Sequence, residues 1–279
     1  MLTNICVIIG LAASVLAMLN AGRLKAICRL TALLFVTLLL LPLQLALYSL
    51  RLPLRGKVPR LWHRIVCRLV GLEIKKIGTP HKSPPTLFVS NHSSYLDINV
   101  LGALLKCSFI AKQEISGWPI FGFLARMQNT VFIERKAQHA EAQRDLVASL
   151  LEERRNLVLF PEGTCNNGQK ILPFKSSLFG ITEAYAADAP VMIQPITISY
   201  TRLNGIPIGR SLRPMLTWFG DMELLSHAWQ LLHLGRVTVL VQFHPPLALH
   251  DYASRKQLSA ACEQIVANGL IASYQKRLV

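Results

Sequence analysis

The chain has 279 residues, which is enough for one α/β domain of ordinary size with a smaller attachment and too few for two large domains. It carries 30 Lys and Arg against 15 Asp and Glu, and the formal charge of +15 favours an anionic partner. Residues 1–82 hold 12 of the basic residues and a single acid, Glu73, beside long apolar runs. Because this excess adjoins apolar runs and lacks interleaved aromatic residues, it favours membrane lipids as partners and argues against nucleic acid.

Two uncharged runs, 1–22 and 30–50, are each close to the ~20 residues that cross a bilayer. We therefore predict a membrane-anchoring helical segment over 1–55. If both runs crossed, one of the basic clusters that follow them would face outward, against the positive-inside tendency. We expect one run to be shallow or re-entrant, and we favour the second, where Pro42 and Gln44 interrupt the apolar face.

Beyond a predicted helix at 58–70 and a Gly/Pro-rich loop, short apolar runs alternate with helical patterns. Strands are predicted at 86–90, 107–111, 130–134, 156–160, 191–199, 213–219 and 236–244, and helices at 96–105, 118–127, 137–155, 176–187, 223–232 and 252–276. This alternation predicts an α/β fold, a mostly parallel sheet covered by helices, in a domain spanning 56–279. In such sheets, functional residues gather at the carboxyl ends of the strands.

The stretch Asn-His-Ser-Ser-Tyr-Leu-Asp (91–97) directly follows the first of these strands. His92 and Asp97 lie about 140° apart on a regular helix, so they meet only if His92 lies in a turn and Asp97 in the first helical turn. An aspartate bonded to one ring nitrogen leaves the other free to act as a general base. A capping turn with a solvated His92 is the alternative from these residues alone.

Two further strand ends carry polar residues. Phe-Pro-Glu-Gly-Thr (160–164) places Glu162 at a sharp turn where Gly163 permits close backbone approach, and Lys175 follows. Phe-Ile-Glu-Arg (132–135) ends in Arg135, whose guanidinium suits a phosphate. Taken alone, each element is more typical of a solvated turn or surface than of a functional site.

Together these stretches resemble the glycerolipid acyltransferase family, which includes 1-acylglycerol-3-phosphate acyltransferases. NHSSYLD is similar to its N-H-x4-D motif, FIER and FPEGT to its later motifs, and IQPITI to its Pro-bearing strand, in the same order over about residues 86–200. The resemblance implies transfer of an acyl group to a lysolipid hydroxyl from an acyl-carrier-protein or coenzyme A thioester, with no other cofactor, no metal and no acyl-enzyme.

The resemblance also implies roles for individual residues. His92, oriented by Asp97, would deprotonate the acceptor hydroxyl, and backbone N–H groups near Gly163 or the helix start would stabilise the oxyanion. The implied acceptor-binding residues are Arg135, Glu162, Gly163, Thr164 and Lys175. The expected location is the cytoplasmic side of a bacterial inner membrane, where the six scattered cysteines would stay reduced.

One departure concerns the acceptor. Many lysophosphatidate acyltransferases continue FPEGT with arginine, whereas this chain has Cys165. The C-terminal stretch from Trp218 resembles the subgroup that acylates lyso-ornithine lipid, whose zwitterionic headgroup has less need of that cation. Both acceptors remain open from the sequence.

Two other functions also remain open: a serine-type hydrolase or transacylase that uses Ser93 or Ser94, and a membrane-anchored adaptor without catalysis.

Overall fold

The computed structural model describes residues 2–83, 85–134, 140–182 and 191–275. The strands are β1 (Leu72–Ile77), β2 (Thr86–Ser90), β3 (Ser108–Lys112), β4 (Val131–Ile133), β5 (Leu157–Leu159), β6 (Met192–Leu203), β7 (Ile206–Pro207), β8 (Val237–Phe243) and β9 (Leu247–Ala248). The helices are α1 (Leu2–Ser49), α2 (Lys57–Val70), α3 (Leu96–Leu104), α4 (Pro119–Met127), α5 (Ala140–Glu152), α6 (Leu224–His233) and α7 (Arg255–Tyr274).

The strands form one sheet, in the order β1-β8-β6-β2-β5-β3-β4, with β7 and β9 also paired to β6. Strands β2 to β6 run parallel to one another, whereas β8, β7 and β9 are antiparallel to β6. The predicted fold class, a mostly parallel sheet covered by helices, is confirmed.

The sheet is covered on both faces because its central strands are apolar on both sides. In β2 all five residues are buried, with Phe88 in one apolar cluster and Leu87 and Val89 in the other. Successive side chains of a strand point to opposite faces, so a continuous apolar run requires two covering layers. Helices α2 and α3 contribute to the Phe88 cluster, and α5 and α7 to the opposite one.

Register determines which residues meet at the carboxyl edge of the sheet. Strand β2 lies between β5 and β6, and its last residue, Ser90, is level with Ile196. Strand β6 continues to Leu203, well past the end of β2. The turn after β2 is therefore flanked by the turn after β5 on one side and by the outer half of β6 on the other.

At the N-terminus the structure differs from the sequence prediction. The two apolar runs lie in one continuous helix, α1, which passes through Pro42 and Gln44 without ending. At 1.5 Å per residue this helix is about 70 Å long. Its part Asn20–Ser49 is long and apolar enough to cross a membrane, and only 11% of its most apolar window is buried. The helical backbone continues through Pro42, and the expectation that one run is shallow or re-entrant stays a prediction.

The second half of α1 is attached to the rest of the protein and packs against α2 and α6. Arg29 Nη1 donates to the carbonyls of Leu232, in the last turn of α6, and of Leu234, just beyond it. The buried Gln44 side chain donates to the carbonyls of Arg55 and Met127. These bonds hold α1 against the fold, and the proposed boundary near residue 55 stays a prediction.

Two strand predictions need correction. Strand β1 was not predicted, because LEIKKI has three charged residues; it lies at the sheet edge, where one face is largely exposed. The predicted strand at 213–219 is wrong. Residues Arg213–Leu216 form a 3₁₀ turn instead, because Pro214 lacks the N–H that a strand ladder needs and favours a helical first turn. The remaining predicted helices match to within a few residues where they are described, except that 176–182 forms a 3₁₀ helix.

Candidate active site

The turns after β2 and β5 contact each other directly. The backbone N–H of Asn166 donates to the carbonyl of His92 over 3.2 Å. In return, the backbone N–H of His92 donates to Oε1 of Glu162 over 2.7 Å. Adjacent parallel strands end at the same edge, so two motifs 70 residues apart in the chain form one site.

The side chains of His92 and Asp97 meet, with Nδ1 and Oδ2 3.0 Å apart. They do so because His92 lies in the turn while α3 begins at Leu96, which puts Asp97 in its first turn. The Asp97 carboxylate is fully buried and accepts three further bonds, from the N–H groups of Ser93 (2.7 Å) and Ser94 (2.9 Å) and from the Tyr200 hydroxyl (2.6 Å). The carboxylate is therefore fixed in both position and orientation.

The His92 imidazole is held on its other sides as well. Its ring stacks on Phe160 with a centroid separation of 4.1 Å, and its side chain keeps 16% of its surface exposed. Burial alone would lower the pKa of His92, but interactions with the Cys165 side chain and with Asp97 outweigh burial and raise it above its ordinary value of 6.5. With Nδ1 directed at Asp97, the imidazole keeps Nε2 for a second partner.

Glu162 lies at the end of β5 and is almost completely buried. Both of its oxygens accept bonds from the protein: Oε1 from the N–H of His92, and Oε2 from the N–H of Leu172 and the Asn166 side-chain amide. Burial raises the pKa of Glu162 to about 7, against the opposing effect of these donors. Its carboxylate therefore ties the β5 turn and the 166–172 loop to the backbone of His92.

The remaining predicted site residues lie at different depths. Gly163 is buried with φ of 75°, a conformation that favours glycine, and its N–H donates to the carbonyl of Phe160. Thr164 is exposed beside it. Lys175 has an exposed side chain, and its N–H donates to the carbonyl of Pro161. Arg135 lies outside the described residues.

Sequence reasoning missed three residues that support the site. The side chain of Asn91 pairs with both the N–H and the carbonyl of Ile198, so it extends the β2–β6 ladder by one step. Asn166 bonds to Glu162, and Tyr200 bonds to Asp97. Asn91 adjoins His92 and was open to inference. Tyr200 was not, because its position depends on how far β6 extends beyond β2.

The two serines of the turn are poorly placed to act as nucleophiles. Ser93 and Ser94 are 2% and 0% exposed. Oγ of Ser94 accepts a bond from the N–H of Leu96, which is typical of a helix start. A serine nucleophile has to be reachable by the acyl group, so this geometry argues against the serine-type alternative.

The comparisons with known proteins agree with the motifs. Residues 72–199 match the family model described as Acyltransferase. The chain is 39% identical over 252 residues to a lyso-ornithine lipid O-acyltransferase of Brucella abortus, a match that covers 88% of this chain and 93% of that protein. The chain belongs to the glycerolipid acyltransferase family. This acyltransferase is also 31% identical to a 1-acyl-sn-glycerol-3-phosphate acyltransferase of Neisseria gonorrhoeae, over 79% of this chain and 82% of that one.

A solved structure supports the fold of this acyltransferase. The crystal structure of the 1-acyl-sn-glycerophosphate acyltransferase from Thermotoga maritima superposes with a TM-score of 0.55 at 20% identity, covering 87% of this chain and 96% of that chain. At this identity the likeness concerns the fold alone. The family membership itself comes from the sequence relatives, and the protein is an acyltransferase of lysolipids.

Proposed function

We propose that this enzyme is membrane-bound and transfers a fatty acyl group from an acyl-carrier-protein or coenzyme A thioester to the hydroxyl of lyso-ornithine lipid, with His92 as general base. The observation that carries the chemistry is the 3.0 Å contact between Nδ1 of His92 and the buried Asp97 carboxylate. The choice of acceptor is inferred from the relatives named as lyso-ornithine lipid O-acyltransferases, from Brucella abortus and Pseudomonas aeruginosa among others. Lysophosphatidate, the acceptor implied by the name of the Neisseria relative, is the alternative.

In this mechanism Nε2 of His92 takes the proton of the acceptor hydroxyl as its oxygen forms a bond to the thioester carbonyl carbon. The carbon–sulfur bond then breaks, and the departing thiolate takes the proton from the imidazolium and leaves as the thiol. Asp97 stabilises that imidazolium and fixes the ring tautomer. General base catalysis of this kind typically contributes about 10²–10⁴-fold.

Three backbone N–H groups in the region expected to bind the oxyanion already have partners. The N–H groups of Ser93 and Ser94 donate to Asp97, and that of Gly163 donates to the carbonyl of Phe160. In this conformation these bonds serve the dyad and the β5 turn. The expectation of an oxyanion donor near Gly163 or the helix start stays a prediction.

Acceptor binding is proposed to involve direct contacts and indirect support, from Arg135, Glu162, Gly163, Thr164 and Lys175. Thr164 and Lys175 have exposed side chains, and we propose that they contact the lipid headgroup directly. Glu162 acts through the backbone of His92, because its oxygens are taken up by the protein. Arg135 comes two positions after the last residue of β4 in the sequence and is proposed as a cation for the headgroup.

Membrane attachment is proposed through α1. Its outward side chains include Leu34, Phe35, Leu38 and Leu39, which are 57–68% exposed. Exposed apolar patches of this kind mark an interaction surface, and basic residues at 51–68 would meet anionic headgroups. We place the domain on the cytoplasmic side of a bacterial inner membrane, where both proposed donors occur and the described cysteines stay free.

The test is product identification with purified full-length protein in detergent micelles. Labelled acyl-carrier-protein and coenzyme A thioesters are offered with lyso-ornithine lipid or lysophosphatidate, and the lipid products are identified by mass. His92→Ala, with folding checked by circular dichroism, is expected to lose transfer. Failure of the wild type with both acceptors contradicts the function, and unchanged activity of His92→Ala contradicts the base and supports a structural dyad.

The side chain of Cys165 lies beside His92, which raises the separate question of a thiol nucleophile. Direct transfer predicts that Cys165→Ala keeps turnover within a few-fold. An acyl group trapped on Cys165 and detected by mass spectrometry would replace direct transfer with a two-step route.

A further inference from the structure

Beside the catalytic turns lies a cavity of about 240 Å³ that the reaction described above does not use. It is lined by residues from the end of β6, from the segment after β7 and from the end of α7, including Arg202, Gly209, Arg213 and Tyr274. None of the described lining residues is acidic. Two guanidinium groups therefore face a small cavity that supplies no carboxylate of its own.

The guanidinium of Arg213 is fixed in orientation, but its Nε has no hydrogen-bond partner among the described residues. Its guanidinium carbon lies 3.4 Å from the centre of the Tyr274 ring, which fixes the plane of the group by a cation–π contact. The Nε atom is also buried. A buried donor without a partner is unfavourable, so an acceptor that reaches this group would remove that cost.

Arg202 is partly occupied by the protein, since its Nη1 donates to the carbonyl of Gly205 over 3.0 Å. Arg213 therefore has the greater unused capacity. A planar guanidinium with fixed orientation binds a carboxylate through two parallel N–H bonds, which matches the shape of an amino-acid headgroup.

The cavity is connected to the catalytic turn through Gly168. The Tyr274 hydroxyl donates to the Gly168 carbonyl over 2.7 Å. Gly168 has φ of 68°, and a Cβ built there would lie 2.8 Å from Thr217 Cγ2 and 4.0 Å from the Cβ of Ser93. One loop residue thus separates Tyr274 from Ser93, the neighbour of His92, and a headgroup bound by Arg213 would lie close to the dyad.

We propose that Arg213 binds the carboxylate of the amino-acid headgroup of the acceptor lysolipid in this cavity. The inference rests on the proposed function and names the group that recognises its acceptor. It also explains how the chain can have Cys165 where many lysophosphatidate acyltransferases have an arginine after FPEGT. Arg213, in the 3₁₀ turn Arg213–Leu216, would supply the cation in place of that arginine. Gln169 and Arg210, bonded to each other, join the two segments.

The experiment compares three acceptors in micelles: lyso-ornithine lipid, the same lipid with its headgroup carboxylate converted to a methyl ester, and lysophosphatidate. For the wild type, the ester is expected to raise KM roughly 10- to 100-fold over the free acid, because a charge-assisted bond is lost. For Arg213→Gln, the free acid and the ester are expected to have nearly equal KM values. Arg213→Lys keeps a cation and is expected to keep part of the preference.

The preference for acid over ester is a ratio within one variant, so a general loss of stability does not produce it. Arg236→Gln, which removes an exposed arginine outside the cavity, is the matched control and is expected to keep the wild-type ratio. The proposal is overturned if Arg213→Gln keeps the wild-type ratio of KM for ester to KM for acid. It is also overturned if Arg213→Gln raises the KM for lysophosphatidate as much as that for lyso-ornithine lipid, or raises only the KM for the acyl donor. If the wild type acylates no lysolipid, the proposed function fails instead.

Discussion

In the turn between β2 and α3, Asn91 and Asp97 are buried and their side chains bond to named groups of the protein. Along α1 the arrangement is reversed: large apolar side chains such as Leu38 and Leu39 face outward, and few polar bonds connect the helix to the fold. The polar side chains of the turn find their partners within the protein, whereas the exposed apolar face of α1 fits the proposed membrane attachment. Changes in the turn should therefore alter reaction rate, and changes on the outer face of α1 should alter where the enzyme resides.

The largest effect is expected from Asp97→Asn. The amide cannot stabilise an imidazolium as a carboxylate does, and it places an NH₂ group among donors from Ser93, Ser94 and Tyr200. We expect kcat to fall roughly 10²–10⁴-fold, measured as initial rates in micelles. A thermal unfolding curve shows whether the variant is folded. A folded variant with near wild-type kcat would show that the carboxylate has no part in the chemistry.

Glu162→Gln comes next. The three hydrogen-bond partners of this carboxylate among the described residues are all N–H donors, so an amide NH₂ would face at least one of them. A lost buried bond costs about 1–3 kcal/mol, and we expect lower thermal stability together with a rate about 10-fold below wild type. Exposed Glu114 supplies the control, since Glu114→Gln is expected to change neither quantity. Equal behaviour of the two variants would contradict the proposed tie to His92.

Tyr200→Phe is expected to have a smaller effect on rate, about 3- to 10-fold, because it removes one bond to Asp97 and keeps the ring. The pKa of Tyr200 is raised by burial and by Asp97, so its hydroxyl stays a donor. Removing this donor concentrates charge on Asp97, which stabilises the imidazolium and raises the pKa of His92 further.

The sign of the pH dependence follows from the base being active only when neutral. Because the pKa of His92 is raised above 6.5, kcat/KM should rise as the pH increases through the pKa of His92. Tyr200→Phe should move this rising limb to higher pH. The control is Tyr252→Phe, which lies on the other apolar cluster. A purely structural role for Tyr200 would lower the rate without moving the limb.

The smallest effect on chemistry is expected from changing Leu38 and Leu39 together to serine. These side chains are 68% and 63% exposed, so kcat in micelles should stay within about 2-fold of wild type. Binding to vesicles containing anionic lipid, measured by flotation, should weaken because apolar surface available to the bilayer is lost. Leu146→Ser on α5 is the control and should leave flotation unchanged. Equal flotation of all three proteins would contradict the proposed membrane face.

The motifs NHSSYLD, FIER and FPEGT identified the acyltransferase family, and the alternation of apolar runs predicted the parallel sheet. Both are local properties, set by residue type and spacing. Strand β1 escaped prediction because an edge strand needs only one apolar face, and 213–219 was misassigned because its apolar residues outweighed Pro214 in the pattern. The continuity of α1 was missed because charged residues between two apolar runs do not by themselves end a helix.

The sequence by itself determined the kind of chemistry: it supplied a histidine and an aspartate at a spacing that permits contact, a glutamate in a glycine-containing turn, and an apolar N-terminus. Only the tertiary structure decided how they are held. Tyr200 reaches Asp97 because β6 extends past the end of β2, and Tyr274 at the end of α7 connects Arg213, which stacks on its ring, to Gly168, to which its hydroxyl donates. Such contacts join residues about 60 to 106 positions apart, and strand register and helix packing, which no local pattern encodes, set them.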